Sequence, residues 1–123
     1  MKLPAMVLKW QAAWSSLDAE KVAALYAEDA THMSAAVTAR MNRADGTLHG
    51  PAELQAYAVE VAKVLKSFRA DITSVIAEGT DEEGRAAIEY WRVVNGDEAG
   101  RKRVAEILEW KNGKLTACRV FHF

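Results

Sequence analysis

The sequence has only one cysteine, Cys118, so an intramolecular disulfide is impossible. Nothing in the composition therefore points to an oxidising compartment. The sequence also lacks any apolar run of the roughly 20 residues that a membrane-spanning helix needs. Near the N-terminus, Lys9, Trp10 and Gln11 interrupt what would have to be the apolar core of a signal peptide. We therefore expect a soluble cytoplasmic protein that does not associate with a membrane.

The sequence also lacks an excess of charge of either sign. The 16 basic and 17 acidic residues give a net charge of −1, and the only basic cluster is the short run 101–103. Affinity for nucleic acid depends mainly on neutralising many phosphates, so we expect no nucleic-acid partner. The 3 histidines lie far apart, and neither His-x-x-x-His nor Cys-x-x-Cys spacing occurs. We therefore predict no metal site and no cofactor.

Apolar residues at helical spacing predict three helices in the first half of the chain. The first has an apolar face made of Leu3, Val7, Trp10, Trp14 and Leu17. Asp18 is a typical N-cap for a short second helix. Gly50-Pro51 opens the third, because the first helical turn tolerates proline. The inner face of this third helix is predicted to carry Leu54, Tyr57, Ala58, Val61 and Leu65.

The rest of the chain predicts strands and turns. Residues 30–34 form a strand, 35–47 a loop and 47–49 a short strand, and four strands follow over 68–77, 86–94, 101–110 and 115–123. Asn112-Gly113 is the strongest hairpin signal, since a type I′ turn needs positive φ at both central residues. Helices segregated from an antiparallel meander predict a single α+β domain over 1–123, with three N-terminal helices on a curved, mostly antiparallel sheet. Strand curvature can leave a cavity beneath the helices.

Several segments resemble one known superfamily. The stretch from Trp10 to Ser34, which contains Leu-Tyr-Ala-Glu-Asp-Ala-Thr at 25–31, resembles the opening of ketosteroid isomerases and SnoaL-like polyketide cyclases. Gly50-Pro51 before a helix and the closing Asn-Gly-Lys-Leu hairpin at 112–115 fit the same nuclear transport factor 2-like superfamily. The resemblance implies a cystatin-like cone with an apolar pocket. It implies no single activity, because the superfamily contains isomerases, cyclases, dehydratases, epoxide hydrolases and proteins without chemistry.

The resemblance also assigns positions. The oxyanion-hole tyrosine and acid of the isomerases correspond here to Trp10 and Glu106, and their general-base aspartate corresponds to Ser34. The last-strand aspartate of limonene epoxide hydrolases corresponds to Val120. Indole donates a hydrogen bond but does not titrate usefully, and serine is not basic at pH 7. With only Glu106 keeping its carboxyl, the resemblance argues against both isomerase and epoxide hydrolase activity.

Strand alternation singles out Glu106 independently. It shares one face of its strand with Val104, Leu108 and Trp110, and this apolar company predicts the inner face. Burial would raise the pKa of its carboxyl, which would make Glu106 a protonated hydrogen-bond donor or a general acid. The alternative interpretation is a structural pair with a nearby arginine or histidine.

Alternation puts His32 and Ser34 on one face of the first strand, and the resemblance to the isomerases implies that this face points inward. There His32 near Glu106 would form an acid–base pair suited to neutral pH, or would simply be a satisfied core histidine. On the last strand the inward residues are Cys118, Val120 and His122. Trp10 and Trp14 would shape the pocket wall. Tyr90 and Trp91 take opposite faces of one strand, and alternation does not say which faces inward.

Three functional hypotheses remain from the sequence. The first is a pocket that binds a small, largely apolar molecule. The second is an enzyme of isomerase, cyclase or dehydratase type that uses Glu106 as acid and His32 as base. The third is an association domain without chemistry, which works through a homodimer surface containing the outward-facing Phe121 and Phe123.

Overall fold

The computed structural model describes all residues from 1 to 123, which form four helices and six strands. The helices are α1 (Ala5–Ser16), α2 (Ala19–Ala23), α3 (Ala35–Met41) and α4 (Gly50–Val64). The strands are β1 (Tyr26–Met33), β2 (Thr47–His49), β3 (Phe68–Gly79), β4 (Glu83–Val94), β5 (Lys102–Lys111) and β6 (Lys114–His122). No helix is both long and apolar enough to span a membrane.

The predicted starts of α2 and α4 are confirmed, whereas Leu3, Leu17 and Leu65, predicted on helix faces, lie just outside α1 and α4. Asp18 caps α2, because its carboxylate accepts hydrogen bonds from the backbone N–H groups of Glu20 and Lys21. Pro51 lies in the first turn of α4. The inward faces of α1 and α4 supply much of the core, with Met6, Val7, Trp10, Ala13 and Trp14 from α1 and Leu54, Tyr57, Ala58 and Val61 from α4.

The prediction of three helices is wrong, because α3 occupies part of the segment predicted as a loop. Ser34 caps this helix: its hydroxyl oxygen accepts a hydrogen bond from the N–H of Ala36 at 3.1 Å. Asn42 ends it in the left-handed conformation, with φ of 52°. A helix of 7 residues is too short to show apolar periodicity, and the turn formers after it suggested a loop throughout.

The sheet has the order β2-β1-β6-β5-β4-β3, and every neighbouring pair is antiparallel except β1 and β6. Asn112 and Gly113 join β5 to β6 with φ of 54° and 71°, so both central residues have the positive φ that the predicted turn requires. Register shifts interrupt β3 between Ile72 and Ser74 and β5 at Glu109. Such irregularities bend a strand and increase its twist.

One face of the sheet packs against the helices and forms the core. Burial alternates along β5, so that Val104, Glu106, Leu108 and Trp110 are buried while their neighbours are partly exposed. The same alternation in β4 answers the question left open by the sequence. Tyr90 is 4% exposed on the inner face, and Trp91 lies on the outer face beneath Arg101.

Candidate functional site

A cavity of about 80 Å³ lies between the inner face of the sheet and the helices. Its aromatic lining consists of Trp10, Trp14, Tyr57, Phe68 and Tyr90, and its aliphatic lining of Ala36, Val61, Leu65 and Val120. Six polar side chains complete it: His32, Ser34, Arg40, Arg92, Glu106 and His122. A mostly apolar hollow with a few polar groups has the composition of a small-molecule site.

Glu106 is the most buried charged residue of this cavity, at 2% exposure. One carboxyl oxygen accepts a hydrogen bond from the indole N–H of Trp10 at 3.1 Å, and the other accepts one from the Tyr90 hydroxyl at 3.0 Å. The rings of Trp10 and Tyr90 pack together with centroids 5.3 Å apart, so each donor is held by the other's ring. No arginine, lysine or histidine forms an ion pair with Glu106.

The electrostatics of Glu106 follow from this geometry. Burial raises the pKa of its carboxyl to about 7, and the two hydrogen bonds from Tyr90 and Trp10 oppose the rise. Both donors are neutral, so they stabilise the carboxylate less than a cation would. At neutral pH the group is therefore divided between its protonated and ionised forms, and it can donate or accept a proton.

His32 faces the same cavity but makes no hydrogen bond to Glu106. Its Nδ1 lies 3.4 Å from the Tyr26 hydroxyl, and its ring packs against Trp14 and Tyr57 at centroid distances of 6.1 and 5.9 Å. Burial lowers the pKa of His32 to about 4, so the ring is neutral at pH 7. A neutral imidazole can accept a proton, but one with so low a pKa is a weak base.

Cys118, predicted to line the pocket, lies outside its lining. The thiol is fully buried behind Tyr26 and lies 3.9 Å from that hydroxyl, which Trp14 also contacts at 3.4 Å. Burial raises the pKa of the Cys118 thiol well above its ordinary value, so the thiol stays protonated. The alternation that predicted an inward-facing Cys118 was correct, since the residue is buried, but its side chain contacts Tyr26 and does not line the hollow.

Ser34 and His122 meet at another part of the lining. The Ser34 hydroxyl lies 3.3 Å from Nε2 of His122 while also capping α3. His122 is exposed at the residue level although its ring reaches the cavity, and burial together with the charge of Arg92 lowers its pKa. Within the cavity, the exposed His122 and the partly exposed Arg40 and Arg92 mark the end nearest to solvent.

The family model of the SnoaL-like domain matches residues 7–118. The chain belongs to the SnoaL-like family. No curated protein matches the sequence.

Solved structures of SnoaL-like and related proteins share the fold at low sequence identity. A SnoaL-like protein of unknown function from Burkholderia thailandensis is 18% identical with a TM-score of 0.75, over 94% of this chain and 89% of that one. A Catenulispora acidiphila protein with a ketosteroid isomerase-like fold, in complex with trimethylamine, is 17% identical with a TM-score of 0.71, over 98% and 86%. A Cytophaga hutchinsonii protein with the nuclear transport factor 2-like fold and unknown function is 17% identical with a TM-score of 0.66, over 100% and 95%.

Eight lining residues of this SnoaL-like chain were not among the site candidates from the sequence: Ala36, Arg40, Tyr57, Val61, Leu65, Phe68, Tyr90 and Arg92. Tyr57 had been predicted on the inner face of its helix, but as core, and Tyr90 had an undecided orientation. Arg40 lies in the segment that was predicted as a loop, so the sequence did not indicate the direction of its side chain. Arg92 follows from Tyr90 by alternation, and it would have been found once that orientation was known.

No group of three or more histidine, cysteine, aspartate or glutamate side chains is arranged to hold a metal ion. His32 and Glu106 line the cavity separately, and His49 lies outside the lining on the surface.

Proposed function

We propose that this SnoaL-like chain binds a small, largely apolar molecule in the cavity, with a polar atom of the ligand against Glu106. One observation carries the proposal: an apolar hollow of about 80 Å³ holds a single carboxyl group that no cation neutralises. A buried acid with a raised pKa in a cleft is a functional-site candidate, because a structural acid is normally paired.

The size of the hollow limits the ligand. Pockets for drug-sized molecules measure roughly 300–1,000 Å³, so a hollow of about 80 Å³ suits a molecule with few non-hydrogen atoms. The Catenulispora acidiphila protein is known in complex with trimethylamine, a molecule of that size class. This supports a small occupant and says nothing of its chemistry here.

The chemistry of Glu106 favours a ligand with an acceptor oxygen. In its protonated form the carboxyl carries one O–H donor, while the Trp10 N–H and the Tyr90 O–H already point toward its oxygens. A carbonyl or hydroxyl oxygen of the ligand would accept that proton in a hydrogen bond. The aromatic rings around it would contact the ligand's apolar part.

A second candidate is an enzyme that transfers a proton on the same ligand. It is favoured by the Glu106 pKa of about 7, since a catalytic acid or base works best when its pKa is near the working pH. In this hypothesis His32 is the partner base, and its low pKa makes it the weaker member of the pair. A pocket filled with side chains would have favoured the third hypothesis, an association domain without chemistry, whereas the open cavity favours the first two.

Cyclopentanone, a small ring with a carbonyl, is a suitable probe, and the indole N–H signals of ¹⁵N-labelled protein report on it. We expect the signals of Trp10 and Trp14 in the cavity to shift on titration. Trp91 and Trp110 lie outside the cavity lining, so the positions of their indole signals should not change. A matched pair of variants locates the binding: Val61→Phe fills the hollow, whereas Val59→Phe makes the same change at a site 42% exposed on the same helix.

Binding that survives Val59→Phe and disappears in Val61→Phe supports the proposal. Equal loss in both variants, or shifts at all four indoles, contradicts it. Exchange of the ketone's α-protons in D₂O then separates the two candidates. Exchange accelerated roughly a hundredfold or more by the wild type and abolished by Glu106→Gln supports the enzyme, because one positioned acid–base group contributes that much. Binding without accelerated exchange supports the binding protein.

A further inference from the structure

We infer that the ligand of this cavity is a small organic carboxylate, whose charged group is held by Arg40 and Arg92 while the rest of the molecule, including the polar atom that contacts Glu106, fills the hollow. The inference rests on the proposed binding function and adds the charge of the ligand. Its basis is the juxtaposition of two guanidinium groups without an acidic partner, one from α3 and one from β4, on the wall of one cavity.

The chain pairs nearly all its other arginines. Five of the 8 arginines form ion pairs with a glutamate or aspartate: Arg43, Arg69, Arg85, Arg103 and Arg119. Arg101 has no acidic partner, but its guanidinium lies 4.4 Å from the centre of the Trp91 ring. Only Arg40 and Arg92 have neither kind of partner, and both line the cavity.

The two guanidinium groups also act on each other and on the same neighbours. Burial and the charge of Arg40 lower the pKa of Arg92. Burial raises the pKa of Tyr57, and the charges of Arg40 and then Arg92 oppose the rise. Both cations therefore reach the same part of the cavity, where they repel each other. An anion placed between them would relieve that repulsion.

The local charge contrasts with that of the whole chain. The chain carries a net charge of −1, yet the cavity has two guanidinium groups and only one acid, Glu106, on its wall. A cationic ligand would have to approach both arginines to enter. Arginine presents several donors in a planar fork that matches a carboxylate, and such charge-assisted hydrogen bonds are stronger than neutral ones. The arrangement therefore selects a carboxylate with an apolar body.

Isobutyrate and isobutyramide test this inference, because they have the same shape and differ in charge. Dissociation constants at pH 7 and low salt are measured from the indole N–H signals of Trp10 and Trp14. We expect isobutyrate to bind about tenfold more tightly than isobutyramide, as the charged group gains charge-assisted bonds. Added NaCl should weaken the binding of isobutyrate and leave the affinity for isobutyramide unchanged.

The double variant Arg40→Gln/Arg92→Gln should bring the two affinities within about twofold of each other. The control Arg85→Gln/Arg101→Gln removes the same two charges outside the cavity and should keep the tenfold preference. Equal affinities in the wild type overturn the inference, and so does a preference that survives the cavity variant. If that variant does not fold, the salt dependence in the wild type decides in the same way.

These results separate the inference from the proposed function. If isobutyramide binds in the cavity and isobutyrate binds no better, the inference of a carboxylate ligand is refuted, but the proposed binding function is supported. If neither probe moves the Trp10 and Trp14 signals, and cyclopentanone does not either, the binding function itself is refuted.

Discussion

Replacing Glu106 by glutamine should stabilise the protein at high pH. Burial raises the pKa of Glu106 from 4.5 to about 7 in the folded state, whereas in the unfolded chain the group ionises near its ordinary value. Between these two values the folded state binds more protons than the unfolded state. The contribution of Glu106 to the free energy of unfolding is therefore fully present below about pH 4.5, and it is lost as the pH rises toward 7.

The size of this loss follows from the shift. Each pKa unit corresponds to about 1.4 kcal/mol, so the free energy of unfolding falls by about 3 kcal/mol between pH 4 and pH 8 on account of this group. Glutamine has the shape of the protonated acid and does not titrate, and its carbonyl oxygen can still accept from Trp10 or Tyr90. The variant should thus exceed the wild type by about 1 kcal/mol at pH 5 and by about 3 kcal/mol at pH 8.

Urea unfolding followed by tryptophan fluorescence at several pH values from 5 to 8 measures this difference. Other titrating groups, His32 among them, are common to both proteins and cancel in the subtraction. Glu109→Gln, on the outer face of the same strand and ion-paired to Arg119, controls for the loss of one carboxylate from β5. A difference that does not grow with pH, or a Glu106→Gln protein less stable than the wild type at pH 8, would refute the reasoning.

Three further predictions concern other residues that line the cavity with Glu106. Trp10→Phe removes a donor that lowers the Glu106 pKa, so carboxyl ¹³C NMR should show that pKa rising, with stability reduced by about 1–3 kcal/mol. His32 should stay neutral down to about pH 4, and a pH titration of its imidazole NMR signals should measure that pKa. Since its pKa is depressed, the stability it contributes is present above pH 6.5 and lost as the pH falls toward 4. Ser34→Ala removes the cap on Ala36 and should lower the unfolding free energy by about 1 kcal/mol in chemical denaturation.

Much of the site could be predicted from the chain alone, because alternation along a strand is a local property. The apolar neighbours of Glu106 were enough to predict that it points inward, and alternation also gave Val120, whereas the inward orientation of His32 came from the resemblance to the isomerases. Chain-local signals also predicted the turn at Asn112-Gly113 and the start of α4. The resemblance to SnoaL-like proteins supplied the fold that brings these faces together.

Other features had no local signal. Arg40 belongs to a helix of 7 residues that apolar spacing does not predict, and that helix begins where the Ser34 hydroxyl accepts a hydrogen bond from the Ala36 N–H. Cys118 has the predicted inward orientation but contacts Tyr26 and does not line the cavity, which only the packing decides. The prediction that Phe121 and Phe123 contribute to a homodimer surface stays a prediction; they are 43% and 77% exposed in the chain by itself.

The sequence by itself determined which side chains face the interior, since helical and strand periodicities are set within a few residues. The tertiary structure alone decided which of them meet. The bond from Trp10 to Glu106 joins residues 96 positions apart, and the approach of Arg40 to Arg92 depends on how a short helix packs beside a bent sheet. Such distances arise from the packing of whole elements, which no local pattern encodes.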